Sequence, residues 1–309
     1  MTVKKEIYHY PLIYVLIPLA LSVLGIILGS FLDLRISDGI VNTSSSMGAF
    51  IESYGNVFSF FMIPLTGVLI FKGLWTKEKT WMKVVGCLYL FFAIGMGIYE
   101  CSIYFIGTTK IKEYGMVYTP WLGYLLSVIF MLFATALFFY FIRSDKDSKA
   151  LIIKGLIILF VLLSQTIIIE ILKRFNCRPR YRYIINGEIN TSGEDFASWW
   201  QFRPFSSSDD YHKSWPSGHT GMAGVCLLIP LIADHVRFPF RYIRPLLYII
   251  GLGHCLLVAF YRVRYGAHFL SDVSFALLIT SLIILVYLLL YERTTRKMIK
   301  NTSDRKEQL

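Results

Sequence analysis

The sequence predicts an all-α protein, a polytopic transmembrane helical bundle of about eight spans. Hydrophobic residues make up 55% of the 309 residues, charged residues only 17%, and the mean hydropathy is +0.57. A soluble domain is closer to a quarter charged. The apolar residues are gathered into runs of about 20, which is the length that a helix needs to cross a bilayer. Most connections between the runs are short and charged, as loops between membrane helices are.

Eight apolar runs are the candidate spans. In chain order they cover residues 11–31, 56–75, 82–106, 120–142, 150–172, 217–233, 245–261 and 270–291. The first run is long enough to span the bilayer and has no clear small-residue cleavage site, so we interpret it as a membrane helix rather than a cleavable signal. The one long connection, 173–216, is polar and contains the pair Trp199-Trp200, which is typical of a membrane-interface belt.

The distribution of lysine and arginine predicts the orientation. With eight spans the two termini share one side, and the segments on that side hold 19 of the 31 basic residues. The opposite loops 32–55 and 107–119 hold only 1 and 2. The positive-inside rule therefore predicts cytoplasmic termini in a multi-pass protein of the cell membrane.

Two outer connections break this charge pattern. Segment 173–216 carries seven basic residues, and the short segment 262–269 carries two. Positive charge on the side that topology disfavours predicts a bound anion there. The net charge of +11 does not indicate nucleic acid, because the basic residues lie between apolar runs rather than on one solvated face.

The five cysteines predict neither a disulfide nor a zinc site. No CxxC pair and no metal-ligand spacing occurs among them, and four lie inside apolar runs. Cysteine in such a run usually acts as a small hydrophobic residue.

Three polar motifs meet on the predicted outer face. "KRFNCRPRYR" follows the fifth span and contains Lys173 and Arg180. "WPSGH" begins the sixth span, and "YRVRYGAHFLSD" joins the seventh span to the eighth with Arg262, His268 and Asp272. By the predicted topology all three emerge on the same side, so we expect them to form one site.

The pair His268 and Asp272 is suited to nucleophilic or general-base chemistry. Residues four apart at the start of a helix share a face. A carboxylate beside an imidazole fixes its tautomer and leaves the other nitrogen free. The alternative is an interfacial helix-capping pair.

The turn that begins the sixth span is suited to an anion. Backbone N–H groups and the positive end of the dipole face outward there. Gly218 allows a phosphate to approach the main chain, Ser217 adds a hydroxyl donor, and His219 is placed to donate a proton. The alternative is an ordinary helix N-cap at the membrane boundary.

Lys173, Arg180 and Arg262 supply the positive charge of the predicted site, because guanidinium and ammonium groups bind phosphate well. The alternative for basic residues here is snorkelling to the lipid headgroups. We assign snorkelling to three neighbouring arginines, Arg174, Arg178 and Arg182.

Taken together, these motifs resemble those of the type 2 phosphatidic acid phosphatases (PAP2), whose superfamily includes the vanadium haloperoxidases. The family pattern is Lys, six residues, Arg-Pro; then Pro-Ser-Gly-His; then Ser-Arg, five residues, His, three residues, Asp. All of these spacings occur here between residues 173 and 272. Two neighbours depart from the pattern, since Tyr181 replaces the usual Pro and Tyr261 the usual Ser.

The resemblance implies a metal-free and cofactor-free phosphatase. In it His268 attacks phosphorus to form a phosphohistidine, Asp272 orients that histidine, and His219 protonates the leaving oxygen and then activates water. The phosphate oxygens would be held by Lys173, Arg180, Arg262, Ser217 and the backbone of Gly218. A site at the membrane surface favours a lipid phosphate or pyrophosphate of the polyprenyl, phosphatidic acid or phosphatidylglycerol phosphate class.

Two other functions stay open at this point: a phosphotransferase that passes the phosphoryl group to another lipid or sugar, and a non-catalytic protein that binds or flips lipid phosphates. The resemblance also implies a six-helix core. We therefore divide the chain into additional N-terminal helices over 1–80, the core over 81–292 and a basic tail over 293–309. Neither the oligomeric state nor a role for Glu100 follows from the sequence.

Overall fold

A computed structural model describes residues 10–107, 120–144, 147–186, 196–202 and 211–307 of the chain. Within these ranges the protein is all-α, and its only β feature is an isolated bridge between Ile142 and Val236. The α-helices are α1 (Ile13–Ile40), α2 (Ser46–Tyr54), α3 (Val57–Phe60), α4 (Met62–Trp75), α5 (Thr80–Gly107), α6 (Pro120–Phe141), α7 (Ser148–Asn176), α8 (Tyr181–Ile185), α9 (Gly218–Gly224), α10 (Ile243–Arg264) and α11 (Leu270–Glu307). A 3₁₀-helix over Val225–His235 continues α9.

Seven helices of the described ranges are long and apolar enough to cross a membrane. Their surfaces fit this role, since large apolar side chains such as Phe31 and Phe91 are 83% and 72% exposed. Such side chains are stable facing lipid, whereas a soluble protein rarely exposes them in large patches. The prediction of an all-α polytopic membrane bundle is confirmed.

The candidate span at 217–233 has a different local structure from the rest. It begins as α9 and continues as an 11-residue 3₁₀-helix that contains Pro230. A 3₁₀-helix rises about 2.0 Å per residue and an α-helix 1.5 Å, so the 18 residues together reach about 30 Å. That length matches the hydrocarbon core of a bilayer. The segment is therefore long enough for an eighth traversal, although it is not a continuous α-helix.

The start of the first candidate span and the end of the last one lie at the same end of the bundle. Tyr10, before α1, and Tyr291, in α11, line the same small pocket as Lys154, Asp234 and Arg244. An odd number of traversals would separate them by the thickness of the membrane. Their proximity therefore supports eight.

The N-terminal helix is integrated into the bundle. The main partner of α1 is α11, and α4 packs mainly against α5 and α7. The 3₁₀-helix lies in the middle of the apolar core, where Cys226, Leu227 and Leu228 are almost completely buried. Residues of α4, α7, α9, α10 and α11 contribute to this core, and Tyr10 packs against it.

Candidate active site

The three predicted motifs converge. Lys173, in the last turn of α7, places its Nζ 2.8 Å from the position that a Cβ on Gly218 would occupy. The backbone N–H of Ser217 donates to the carbonyl of Asp272 at 3.1 Å. A single cavity of about 510 Å³ is lined by five of the predicted residues, Lys173, Arg180, Gly218, His219 and His268.

The local sequence explains why α7 ends and α9 begins at this site. Cys177 ends α7 in the left-handed conformation with φ 49°, and the chain turns there toward Arg180. Arg180 is 8% exposed and is the residue that precedes α8. Ser217 caps α9, and its hydroxyl oxygen accepts from the N–H and the hydroxyl of Thr220. The predicted cap is thus present, and the hydrogen of the Ser217 hydroxyl is not used in it.

His268 is held with one defined ring nitrogen available. It lies between α10 and α11 and is 2% exposed. Its Nδ1 is 2.5 Å from the carbonyl oxygen of Ser214, and because a carbonyl only accepts, Nδ1 carries the proton. In the neutral ring Nε2 then keeps a lone pair, which is what a nucleophile requires.

Burial and the charge around His268 keep its ring neutral. Burial, together with the nearby cations Arg262, Arg180 and Lys173, holds the pKa of His268 well below its ordinary value. A protonated imidazole cannot attack phosphorus, so this environment favours the reactive form.

Asp272 orients His268 less directly than the sequence predicts. Its Oδ2 lies 3.9 Å from Nδ1 of His268, beyond hydrogen-bonding distance. Oδ2 instead accepts from the hydroxyl of Ser214 at 2.5 Å and from the N–H of Phe269 at 2.8 Å. Asp272 therefore fixes Ser214, and the carbonyl of Ser214 fixes His268.

His219 is oriented by residues outside the three motifs. Its Nε2 donates to the carbonyl of Glu52, on α2, at 3.2 Å. The ring of Tyr104, on α5, meets the imidazole edge to face with centroids 5.2 Å apart. These contacts leave Nδ1 of His219 for proton exchange with a ligand.

The cations of the site have carboxylate neighbours. Lys173 donates to Glu170, three residues earlier on α7, at 2.8 Å. Arg262, in the last turn of α10, is 1% exposed, and its Nη1 lies 3.2 Å from Oε1 of Glu52. Glu100 lines the same cavity as Lys173.

The expected snorkelling of Arg178 and Arg182 is wrong. Arg178 is 1% exposed and is paired with Asp33 at 2.9 Å and with Asp272 at 2.5 Å. Arg182 is 4% exposed and is paired with Glu52 at 2.8 Å. A basic residue after a span is compatible with either environment, and the acidic partners are distant in sequence. Arg174 is exposed, as expected.

Sequence reasoning also missed Asp33, Glu52 and Ser214. The two carboxylates lie in the stretch interpreted as the loop 32–55, but Asp33 is in α1 and Glu52 in α2. Asp33 accepts from the backbone N–H of Ser271 at 2.9 Å and is 2% exposed. The sequence did contain a signal for the two carboxylates. Asp33 and Glu52 each lie within a few residues of a candidate span, where a charge is costly unless it has a function.

A bundle of membrane-length helices with histidines and basic side chains buried at one end defines an integral membrane protein with a candidate anion site. Residues 154–296 match the family model described as the PAP2 superfamily. The matched segment contains all three motifs, and the resemblance found in them is confirmed. A PAP2 domain supports activity of the phosphatase type. The comparisons with curated proteins and with solved structures gave no match.

Proposed function

We propose that the protein is an integral membrane phosphohydrolase of lipid phosphates or pyrophosphates, which acts through a phosphohistidine on the extracytoplasmic side. One observation carries the lipid part of this proposal. The cavity that contains His219 and His268 does not end at these residues, but extends along apolar side chains into the membrane-spanning part of the bundle.

The shape of this cavity suits a lipid. Its walls come from α5 on one side and α7 on the other, and the described parts of these two helices pack little against each other. Phe92, Leu163 and Ile167 line it and are 62%, 50% and 56% exposed, so the lining continues to the lipid-facing surface. A lipid phosphate needs such lateral access, because its tail stays in the bilayer while its headgroup reaches the basic residues.

The reaction begins with His268. Its Nε2 attacks phosphorus, the bond from phosphorus to the leaving oxygen breaks, and the electron pair of that bond stays on the oxygen. His219 gives a proton to this oxygen, so the alcohol or phosphate leaves in a neutralised form. Water then attacks the phosphohistidine and His219 takes a proton from it. Cleavage of the phosphorus–nitrogen bond returns the electron pair to Nε2 of His268 and releases phosphate.

The transition state is stabilised by fixed positive charge. Lys173, Arg180 and Arg262 would hold the equatorial oxygens together with Ser217 and the backbone of Gly218, where negative charge is greatest. The three cations approach from the ends of different helices and are mostly buried. Charge of this kind replaces the role that a metal ion has in other phosphoryl-transfer enzymes.

The outward position of the site is supported by the basic residues. The segments at the end of the bundle opposite the site carry most of the lysines and arginines. The positive-inside rule then favours a cytoplasmic location for that end and for both termini.

Release of inorganic phosphate from a panel of lipid phosphates tests the function directly. Protein purified in detergent would be given polyprenyl pyrophosphate, phosphatidic acid and phosphatidylglycerol phosphate. We expect release with at least one lipid, and its loss by at least about 10³-fold in the variant His268→Ala. His254→Ala is the matched control, because His254 bonds to Ser59 and does not line the cavity.

The intermediate has a separate readout. With ³²P-labelled substrate, rapid quenching of the His219→Ala variant should trap an acid-labile phosphoenzyme, because water is then activated slowly. A phosphoryl group found on another lipid or a sugar rather than in water would identify a transferase. Full turnover by His268→Ala would refute the proposed nucleophile.

A further inference from the structure

The carboxylate of Glu52 lies beside Arg262, one of the proposed phosphate ligands. Glu52 lies on α2, outside the residues that match the family model. Its Oε1 is 3.2 Å from Nη1 of Arg262 and 2.8 Å from Nη1 of Arg182. Its side chain is only 13% exposed, so water screens these interactions weakly.

Arg262 needs a nearby anion. A buried guanidinium without a counter-charge is costly, and Arg262 is 1% exposed. Within the described residues its Nε has no hydrogen-bond partner, while its Nη1 faces the carboxylate of Glu52. The Arg262 guanidinium thus keeps donors for a ligand while the carboxylate balances its charge.

We propose that Glu52 is the internal counter-anion of the phosphate site. Its carboxylate compensates the positive charge of Arg262 when the site is empty, and it weakens the binding of phosphate to Arg262 when the site is filled. The proposal rests on the proposed function only in taking Arg262 as a phosphate ligand. Glu52 is then a positioning residue that adjusts how tightly substrate binds and how quickly phosphate leaves.

The sign of the effect follows from the charges. Carboxylate and phosphate are both anions, and both are attracted to the same guanidinium. The negative charge of Glu52 repels the phosphate and shares Arg262 with it, so removing that charge should tighten phosphate binding. Tighter binding of the product slows its release, and turnover should fall while affinity rises.

The backbone contact of Glu52 allows its charge to be tested separately. His219 is bonded to the main-chain carbonyl of Glu52 and not to its carboxylate. Glu52→Gln therefore changes the charge beside Arg262 without removing the group that orients His219. Glutamine also keeps an oxygen that can accept from Arg182 and Arg262.

Calorimetric titration of the purified protein with inorganic phosphate measures the affinity without requiring turnover. We expect Glu52→Gln to lower the Kd for phosphate by about tenfold. In the lipid assay the same variant should lower KM, the inhibition constant of phosphate and kcat together. Glu52→Ala is the second variant and should shift Kd in the same direction.

Glu78→Gln is the matched control, because Glu78 is an exposed carboxylate between α4 and α5. Glu52→Gln and Glu52→Ala proteins that bind phosphate no more tightly than the control would overturn the inference. It would also be overturned if kcat fell while KM and Kd stayed constant, since that pattern belongs to a merely structural role. Tightened phosphate binding without any lipid hydrolysis would instead sustain the inference and refute the proposed function.

Discussion

Replacing Arg178 by glutamine tests the buried ion network behind the proposed nucleophile. The Arg178 side chain is completely enclosed, pairs with Asp33 at 2.9 Å and with Asp272 at 2.5 Å, and donates from Nε to the carbonyl of Ala197 at 2.7 Å. The variant would leave two carboxylates buried without this cation. Its amide cannot reproduce either the charge or the forked geometry.

The expected loss of stability is large. Removing one partner of a buried ion pair costs about 3–5 kcal/mol, because the other charge is left uncompensated. We expect Arg178→Gln to lower the free energy of unfolding by about this amount. Arg174→Gln is the matched control: Arg174 is exposed in the last turn of α7, four residues before Arg178, and its replacement should change stability by less than about 0.5 kcal/mol.

Unfolding by sodium dodecyl sulfate in mixed micelles, followed by tryptophan fluorescence, would measure both variants. Adding Asp33→Asn to Arg178→Gln removes one of the two unpaired carboxylates and should recover part of the loss. If Arg178→Gln unfolds within about 1 kcal/mol of the Arg174→Gln protein, Arg178 contributes no more than a surface charge and the ion network has no energetic role.

Three further predictions concern the cavity and its histidine. Because the pKa of folded His268 is held well below 6.5, the unfolded chain takes up a proton there first as the pH falls. The free energy of unfolding should therefore decrease below pH 6.5, by up to about 1.4 kcal/mol per pH unit. The decrease should be less steep in His268→Asn, and identical pH slopes in the two proteins would contradict this. Gly218→Ala places a Cβ 2.8 Å from Nζ of Lys173 and should raise KM about tenfold. Gly95→Ala meets open space and should leave KM unchanged. Equal KM values in the two variants would show that Lys173 does not depend on its close approach to the backbone of Gly218. Leu163→Trp should block long-chain lipid phosphates while sparing p-nitrophenyl phosphate, with Ile171→Trp as the lipid-facing control; equal loss of both substrates would refute lateral entry.

The spans were predictable because a bilayer imposes a length on every apolar run. The candidate run 82–106 became α5 (Thr80–Gly107), and 120–142 became α6 (Pro120–Phe141). The first run was underestimated: α1 continues to Ile40 because Asp33 and Ser37 face the protein rather than lipid, and they are 2% and 0% exposed. A hydropathy window treats such buried polar residues as the end of a helix.

The convergence of the three motifs was also predictable, because each motif sits at a helix end on the same predicted side. Their supports were not. The carbonyls of Ser214 and Glu52 orient the two histidines, and a backbone carbonyl has no residue type that a sequence could reveal. The partners of Arg178 and Arg182 are more than 90 residues away in sequence, so charge pairing there requires the packed fold.

The division of the chain at residue 80 remains a prediction, but two buried ion pairs join the parts on either side of it. Arg178 and Arg262 lie in the segment that matches the family, and each is paired with a carboxylate from before that boundary, Asp33 and Glu52 respectively. All four side chains are largely or completely buried. Removing residues 1–80 would therefore leave two arginines in a low-dielectric interior without these counter-charges, and such a loss is destabilising even where the apolar contacts of α1 and α4 are replaced by detergent. The N-terminal helices thus contribute to the electrostatic balance of the site as well as to the membrane bundle.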